Sequence, residues 1–222
     1  MVRCVPVKGY FAENSFFYID EVSRHGFVID PGAEGQRLLS LIRREGWGIE
    51  AILLTHGHFD HTGAVNELRE TLGIPVYAHE NSDRYLLDGE MNLSAFCVGE
   101  KVIRNVRTLR DGDTVCLRDG SCRLQVIHTP GHTTDSVVYY SEKDRVAFVG
   151  DTIFKGSAGN WQYPGGNRQT LVESITEKIF ALPDDTVLYS GHSEETTIGT
   201  EKRRYYLIGA PAGLHTYEQS VV

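Results

Sequence analysis

The chain reads as an α/β protein in four layers, with two mixed β-sheets packed face to face and helices on both outer faces. Three observations predict this. Short, apolar, β-branched strands dominate two separate stretches of the 222 residues, and each stretch is followed by helices. Histidine or aspartate stands directly after four different strands, at 56–61, 128–132, 151 and 192, as expected if strand ends converge at one edge of a sandwich. No linker-like or low-complexity segment divides the chain, and 41% hydrophobic residues suffice for a large core, so a single domain over 1–222 is expected.

In chain order, residues 1–30 alternate apolar and polar, and Phe16–Ile19 and Gly26–Ile29 read as antiparallel strands. Asp30-Pro31-Gly32 ends the second with turn chemistry. A helix follows over Gln36–Glu45 with Leu38, Leu39 and Ile42 inward, stopped by Gly46. Ala51–Leu54 is a buried strand, and Thr62–Leu72 is predicted as one helix from the spacing of Ala64, Val65, Leu68 and Leu72. Val76–Ala78 is a strand, His79–Leu87 is read as helical, and Asp88–Val102 is read as a surface loop edging the site. Asp-Gly turns place a hairpin over Thr114–Leu117 and Cys122–Ile127, and a second pairs Val137–Tyr140 with Val146–Val149. Thr170–Ala181 is a helix with Leu171, Ile175, Ile179 and Phe180 inward, Val187–Tyr189 a last strand, and Glu201–Leu207 a closing helix.

Composition excludes several classes. There is no apolar run of about 18 residues to cross a membrane and no long apolar segment at the N-terminus to act as a signal peptide. A net charge of −8 argues against a nucleic-acid partner, and the cluster Lys202-Arg203-Arg204 is expected to be solvated surface. Cys4, Cys97, Cys116 and Cys122 show no CxxC spacing, which places the protein in a reducing cytoplasm with the cysteines as buried thiols. The sequence carries no signal of oligomeric state.

Thr55-His56-Gly57-His58-Phe59-Asp60-His61 packs three imidazoles and a carboxylate into a strand-to-helix turn. Neutral imidazoles and carboxylates crowded in this way are what a divalent transition metal requires. His25 and His215 stand in polar contexts and are expected to be exposed. His79 is expected at a surface helix start, and His128 either supports the metal shell or packs.

THGHFDHTG (55–63), HTPGHTTDS (128–136), GDTIFKGS (150–157) and SGH (190–192), in this order, resemble the signature of the metallo-β-lactamase-fold hydrolases over roughly residues 14–200. DPG at 30–32, NLSA at 92–95, DGDT at 111–114, YPGG at 163–166, LPDDT at 182–186 and TTIG at 196–199 are most similar to the short glyoxalase II-like branch. The resemblance implies the αββα form of the four-layer sandwich. It implies His56, His58 and His132 as ligands of a first metal, Asp60, His61 and His192 as ligands of a second, and Asp151 as a bridge. Asp30 and Thr55 are candidate partners for the ligating imidazoles.

Two divalent ions, zinc first with iron or manganese as alternatives, would share a water and lower its pKa from about 15.7 toward about 7. The resulting metal-bridging hydroxide is expected to attack the carbonyl of a small-molecule thioester or related ester, with Asp60 orienting it and Asp151 bridging the metals. The chain departs from the glutathione-hydrolysing pattern at Asn160, where a cation is expected, and only about thirty residues follow His192, too few for the family's C-terminal helical substrate domain. Ser193-Glu194 and Asp135 are further departures. Asn160, Trp161 and Tyr163 are candidate substrate-binding residues, and the two aromatics either wall the acyl pocket or pack the loop. A lactonase or β-lactam hydrolase would use the same centre, and a mononuclear iron oxygenase resembling the persulfide dioxygenases would use His56, His132 and Asp151. A non-catalytic metal-stabilised scaffold is the remaining alternative.

Overall fold

The computed structural model describes residues 1–207, with side chains described to residue 205. One sheet holds, in spatial order, β1 (Val2–Lys8), β2 (Ala12–Ile19), β3 (His25–Ile29), β4 (Gly48–Leu53), β5 (Val76–His79) and β6 (Arg107–Leu109). The other holds β7 (Thr114–Val115), β8 (Leu124–His128), β9 (Val137–Ser141), β10 (Val146–Gly150), β13 (Val187–Ser190) and β14 (Thr196–Thr197). Between β10 and β13 in sequence, β11 (Ile153–Phe154) and β12 (Ser157–Ala158) form a small ribbon. Both sheets are mixed: β1 to β3 run antiparallel and β3 to β6 parallel, while β7 to β10 run antiparallel and β10 pairs parallel with β13.

Three separate cores show the four layers. Between the sheets, Phe16, Tyr18, Phe27 and Leu53 meet Val126, Val137, Tyr139 and Phe148. Because strand residues alternate faces, Phe17, Val28 and Ile52 point the other way. There they bury against Leu38, Leu39, Val65 and Leu68 of α1 (Gly35–Glu45) and α3 (Val65–Leu72). On the far face of the second sheet, Val138, Ala147 and Val149 pack against Leu171, Ile175 and Ile179. These last come from α6 (Arg168–Glu173) and its π-helical continuation over Ser174–Ile179. Asn167 caps α6, its Oδ1 accepting from Thr170 N at 3.0 Å. The closing helix α7 spans Ile198–Leu207. Among the described residues no helix is long and apolar enough to cross a membrane.

Four local expectations need correction. The helix read over Thr62–Leu72 is two pieces, α2 (Phe59–Thr62) and α3. Gly63 packs so tightly on the 30–32 turn that a Cβ there would stand 2.2 Å from the Gly32 carbonyl, and Ala64 N donates to Pro31 O at 2.9 Å. Tertiary contact has overridden helical periodicity. His79 is buried at the end of β5, where it pairs with Leu109 of the unread strand β6, and only α4 (Asp83–Leu86) of the expected 79–87 helix forms. The stretch 88–102 is more than a loop: it contains α5 (Ser94–Cys97) and buried Asn92, whose amide donates to Tyr85 O at 3.0 Å and Lys101 O at 2.8 Å. The cysteines are not buried thiols, since Cys4 and Cys116 are exposed and Cys97 and Cys122 half-exposed. His25 is exposed as expected and pairs with Glu50 at 2.9 Å, while His215 lies outside the described residues.

Asp135 is buried, and neither carboxyl oxygen has a hydrogen-bond partner of normal geometry. Burial pushes its pKa up to about 7, against weaker pulls from Thr133 and the backbone at Gly57 and at its own position. The unfolded chain ionises this carboxyl near pH 4, whereas the folded chain keeps it protonated to about pH 7. Stability is therefore lost as pH rises across that window. Asp135→Asn, measured by urea unfolding of metal-free protein, is expected to gain stability over the parent progressively from about pH 4 to 7. The gain should reach about 4 kcal/mol and then level off. A pH-independent difference would show that Asp135 ionises normally.

Candidate metal centre

All seven ligand candidates converge where strands of both sheets end. β4 leads into Thr55-His56-Gly57-His58, and α2 then carries Asp60 and His61. His132 follows β8, Asp151 follows β10, and His192 follows β13. His56 Nε2 and His132 Nε2 lie 3.1 and 3.0 Å from His58 Nδ1. Donors about 2.0–2.1 Å from one tetrahedral zinc would be separated by ~3.3 Å, so the trio is nearly at ligand spacing. Beside it, His192 Nε2 lies 3.3 Å from His61 Nε2 and 3.2 Å from Asp60 Oδ2. Asp151 spans the two groups: Oδ1 is 3.4 Å from His61 Nε2, and Oδ2 is 3.4 Å from His192 Nε2 and 3.6 Å from His132 Nε2.

The outer nitrogens determine what the inner ones can do. His132 Nδ1 faces Asn160 O at 2.8 Å and His192 Nδ1 faces Ala12 O at 2.8 Å. His61 Nδ1 faces Asp30 Oδ2 at 3.0 Å. Each partner only accepts, so each Nδ1 carries a proton and each ring turns its Nε2 inward, where its lone pair serves a metal once any proton there is displaced. Thr55 hydroxyl donates to Asp30 Oδ2 at 2.6 Å, leaving its oxygen to accept from His56 Nδ1 at 3.1 Å, with the same result. His58 is reversed, presenting Nδ1 to the centre while Nε2 is buried without a partner. Lone pairs aimed at one another and at two carboxylates are stable only around cations, so this donor set fits metal.

The two halves of the centre differ in charge. Burial, then neighbouring imidazoles, lower His56 well below the usual range and bring His58 to about 3. Burial also lowers His132. Burial would raise Asp60, yet the His192 hydrogen bond and the charges of His61 and His192 bring it down to about 2. At His61 and His192 burial opposes protonation, but Asp151, with Asp30 at His61 and Asp60 at both, outweighs it, so without metal these two rings favour a proton at the spot where a cation would sit.

Tight glycines hold the arrangement. A Cβ on Gly191 would meet His61 Cε1 at 2.5 Å and Asp151 Oδ1 at 2.6 Å. Gly131 has φ +140, and a Cβ there would stand 2.3 Å from the backbone of Leu171, so only glycine lets the two chains approach.

The substrate candidates behave differently from one another. Asn160 braces His132 through its carbonyl, and its Oδ1 accepts from Gln162 N at 2.9 Å, so the side chain is committed to the loop. Trp161 packs against the outer core beneath Arg168, whose guanidinium lies 5.6 Å from its ring. Tyr163 stands over the first cluster, its ring 5.8 Å from His58 and 6.2 Å from His132. His128 stacks on His79 at 4.0 Å and 12°, and its Nε2 meets Thr134 O at 3.0 Å.

Glu13 belongs to the centre and was not anticipated. It is buried on β2, 3.8 Å from His61 Nδ1, with Ser15 Oγ donating to Oε2 at 3.1 Å and Oε1 unpartnered. Burial pushes its pKa well above the usual carboxylate range although His61 pulls it down. A charged residue at an inward position of an apolar strand was the available signal.

Two mixed sheets in an αββα sandwich, with a histidine- and aspartate-lined centre at one edge, define a metallo-hydrolase architecture. The chain belongs to the metallo-beta-lactamase superfamily, whose family model matches residues 9–192. It is 39% identical to the "Probable metallo-hydrolase YqgX" of Bacillus subtilis, over 90% of this chain and 93% of that one. It is 31% identical to "Hydroxyacylglutathione hydrolase GloC" of Haemophilus influenzae, over 91% and 95%. Among solved structures, BLEG-1 B3 metallo-beta-lactamase superposes with a TM-score of 0.87 at 35% identity, covering 94% of this chain and 100% of that one. TTHA1623 in a di-iron-bound form superposes with a TM-score of 0.76 at 36% identity, covering 90% and 98%. Superfamily membership supports an enzyme that works with divalent metal ions.

Proposed function

We propose that the protein is a binuclear hydrolase of thioesters or related esters, with a small-molecule acyl substrate. The observation that carries this is the set of four histidines held as Nε2 donors around two anionic carboxylates, with His58 completing the first cluster. His56, His58 and His132 would hold one ion, Asp60, His61 and His192 the other, and Asp151 both. When bound, such a pair supplies an acidified water and Lewis-acid polarisation of the acyl carbonyl. Asp60, anionic and 3.2 Å from His192 Nε2, is placed to accept a hydrogen bond from the attacking water and orient it. Tyr163 walls the first cluster, excludes solvent from that side and offers a flat apolar face to the acyl group. A thiolate leaves readily, so no strong general acid is required on the leaving side. The relationship to GloC supports thioester chemistry.

The test is elemental analysis of purified protein together with hydrolysis of S-lactoylglutathione and a simple aryl thioester. Two ions per chain with thioester turnover is the expected result. Zinc is the first expectation, but the di-iron form of TTHA1623 makes iron the specific second one, and reconstitution with each metal separates them. One iron per chain with oxygen consumption and no hydrolysis would replace this reading by the mononuclear oxygenase.

A further inference from the structure

A groove of about 580 Å³ opens beside His192 and runs away from the centre between the free edges of the two sheets. Its volume is in the range of small-molecule sites. Phe16 and Tyr189 form its floor, their ring centroids 5.6 Å apart. Cys4 and Pro6 of β1 line one wall, on the face opposite inward Val5 and Val7. Glu194 and Glu195 line the other. Asn14 fixes the inner end, its amide donating to Ser190 O at 3.1 Å and Ser193 O at 3.0 Å.

Among the described residues no lysine or arginine lines this groove. On the His192 side Lys155 is tied to Glu194 at 2.5 Å, and Arg3 stands on the opposite face of β1 with Arg37 and Arg44 of α1. Among the described residues Glu195 has no ion-pair partner. Its charge is felt across the groove: after burial, it is the next influence raising the Tyr189 phenol, and with burial and Glu13 it helps raise the Cys4 thiol to about 11. On the other side of the centre, the position where a cation would meet the carboxylates of glutathione is Asn160, whose side chain is occupied within its own loop.

We infer that this groove receives the thiol portion of the substrate and selects a thiol that bears an ammonium group and no carboxylate. This rests on the thioester reading above. An amine-bearing thiol finds an apolar floor with a glutamate at its wall that has no ion-pair partner among the described residues, whereas a glutathione thioester brings two carboxylates into a groove walled by glutamates.

The experiment compares three thioesters with one acyl group: acetylthiocholine, S-acetyl-N-acetylcysteamine and S-acetylglutathione, which are cationic, neutral and anionic in the thiol half. The expected order of kcat/KM follows that charge, with acetylthiocholine favoured over S-acetylglutathione by about tenfold or more. Glu195→Gln should shrink that ratio by about threefold and Glu195→Lys by about tenfold. Titration with choline and with S-methylglutathione, followed by intrinsic fluorescence, should show the same preference without turnover. Hydrolysis with S-acetylglutathione preferred, or a ratio unmoved by Glu195→Lys, overturns the inference and leaves the thioesterase reading standing. Failure of all three thioesters overturns the thioesterase reading, and the inference with it.

Discussion

Asp151→Ala is expected to cut turnover by about a thousandfold or more and to take the metal content below two ions per chain. The carboxylate is the one group shared by both clusters, with Oδ1 facing His61 at 3.4 Å and Oδ2 facing His192 at 3.4 Å and His132 at 3.6 Å. Its loss leaves two sets of imidazoles with no anion between them, and the nitrogens at His61 and His192 lose the charge that makes that spot attractive to a cation. The fold should survive, because none of the three apolar cores includes a ligand residue. His58→Ala should behave alike. Metal analysis, circular dichroism and a thioester assay on the same samples check this together. Turnover within tenfold of the parent, in a folded variant, removes Asp151 from the centre.

The second large effect is expected at Asp30, outside the ligand set. Its Oδ1 accepts from Thr55 N at 2.8 Å, and its Oδ2 accepts from Thr55 Oγ1 at 2.6 Å and from His61 Nδ1 at 3.0 Å. Asp30→Ala strands three buried donors and frees the His61 ring, and it should cost about 3–5 kcal/mol of stability. Affinity for the second ion should fall about 10–100-fold, since the partner that fixes the tautomer is lost. Asp30→Asn keeps the shape but presents an NH₂ to a donor on one side, so it should show most of the affinity loss. Urea unfolding and competitive metal titration measure the two effects separately. Unchanged affinity in both variants would mean that His61 is held by packing alone.

The centre was legible in the sequence because its ligands sit immediately after apolar strands, and strand ends meet at one edge of a sandwich. Asp30 and Thr55 were readable for the same reason, as they end strands beside the first motif. What the sequence withheld are contacts made by atoms it does not encode. Ala12 O and Asn160 O orient His192 and His132 through the backbone, so any residue at those positions could serve. Asn160 was therefore singled out for its side chain, whereas its carbonyl touches the site. Edge strand β6, three residues long, was too short to show a period, and without it His79 had no reason to be buried. The break at Gly63 arises from contact with residues thirty positions earlier, which no local pattern reports.

The histidines and carboxylates of the centre come from both sheets: residues 56–61 from the first, and His132, Asp151 and His192 from the second. Asn14 adds a direct tie from β2 to the loop carrying His192. Whatever cation occupies this seam acts as a rivet between the halves of the sandwich. Loading the protein and stiffening it are then a single event. A chelator should loosen the joint between the sheets and spare the hydrogen-bond ladders within each.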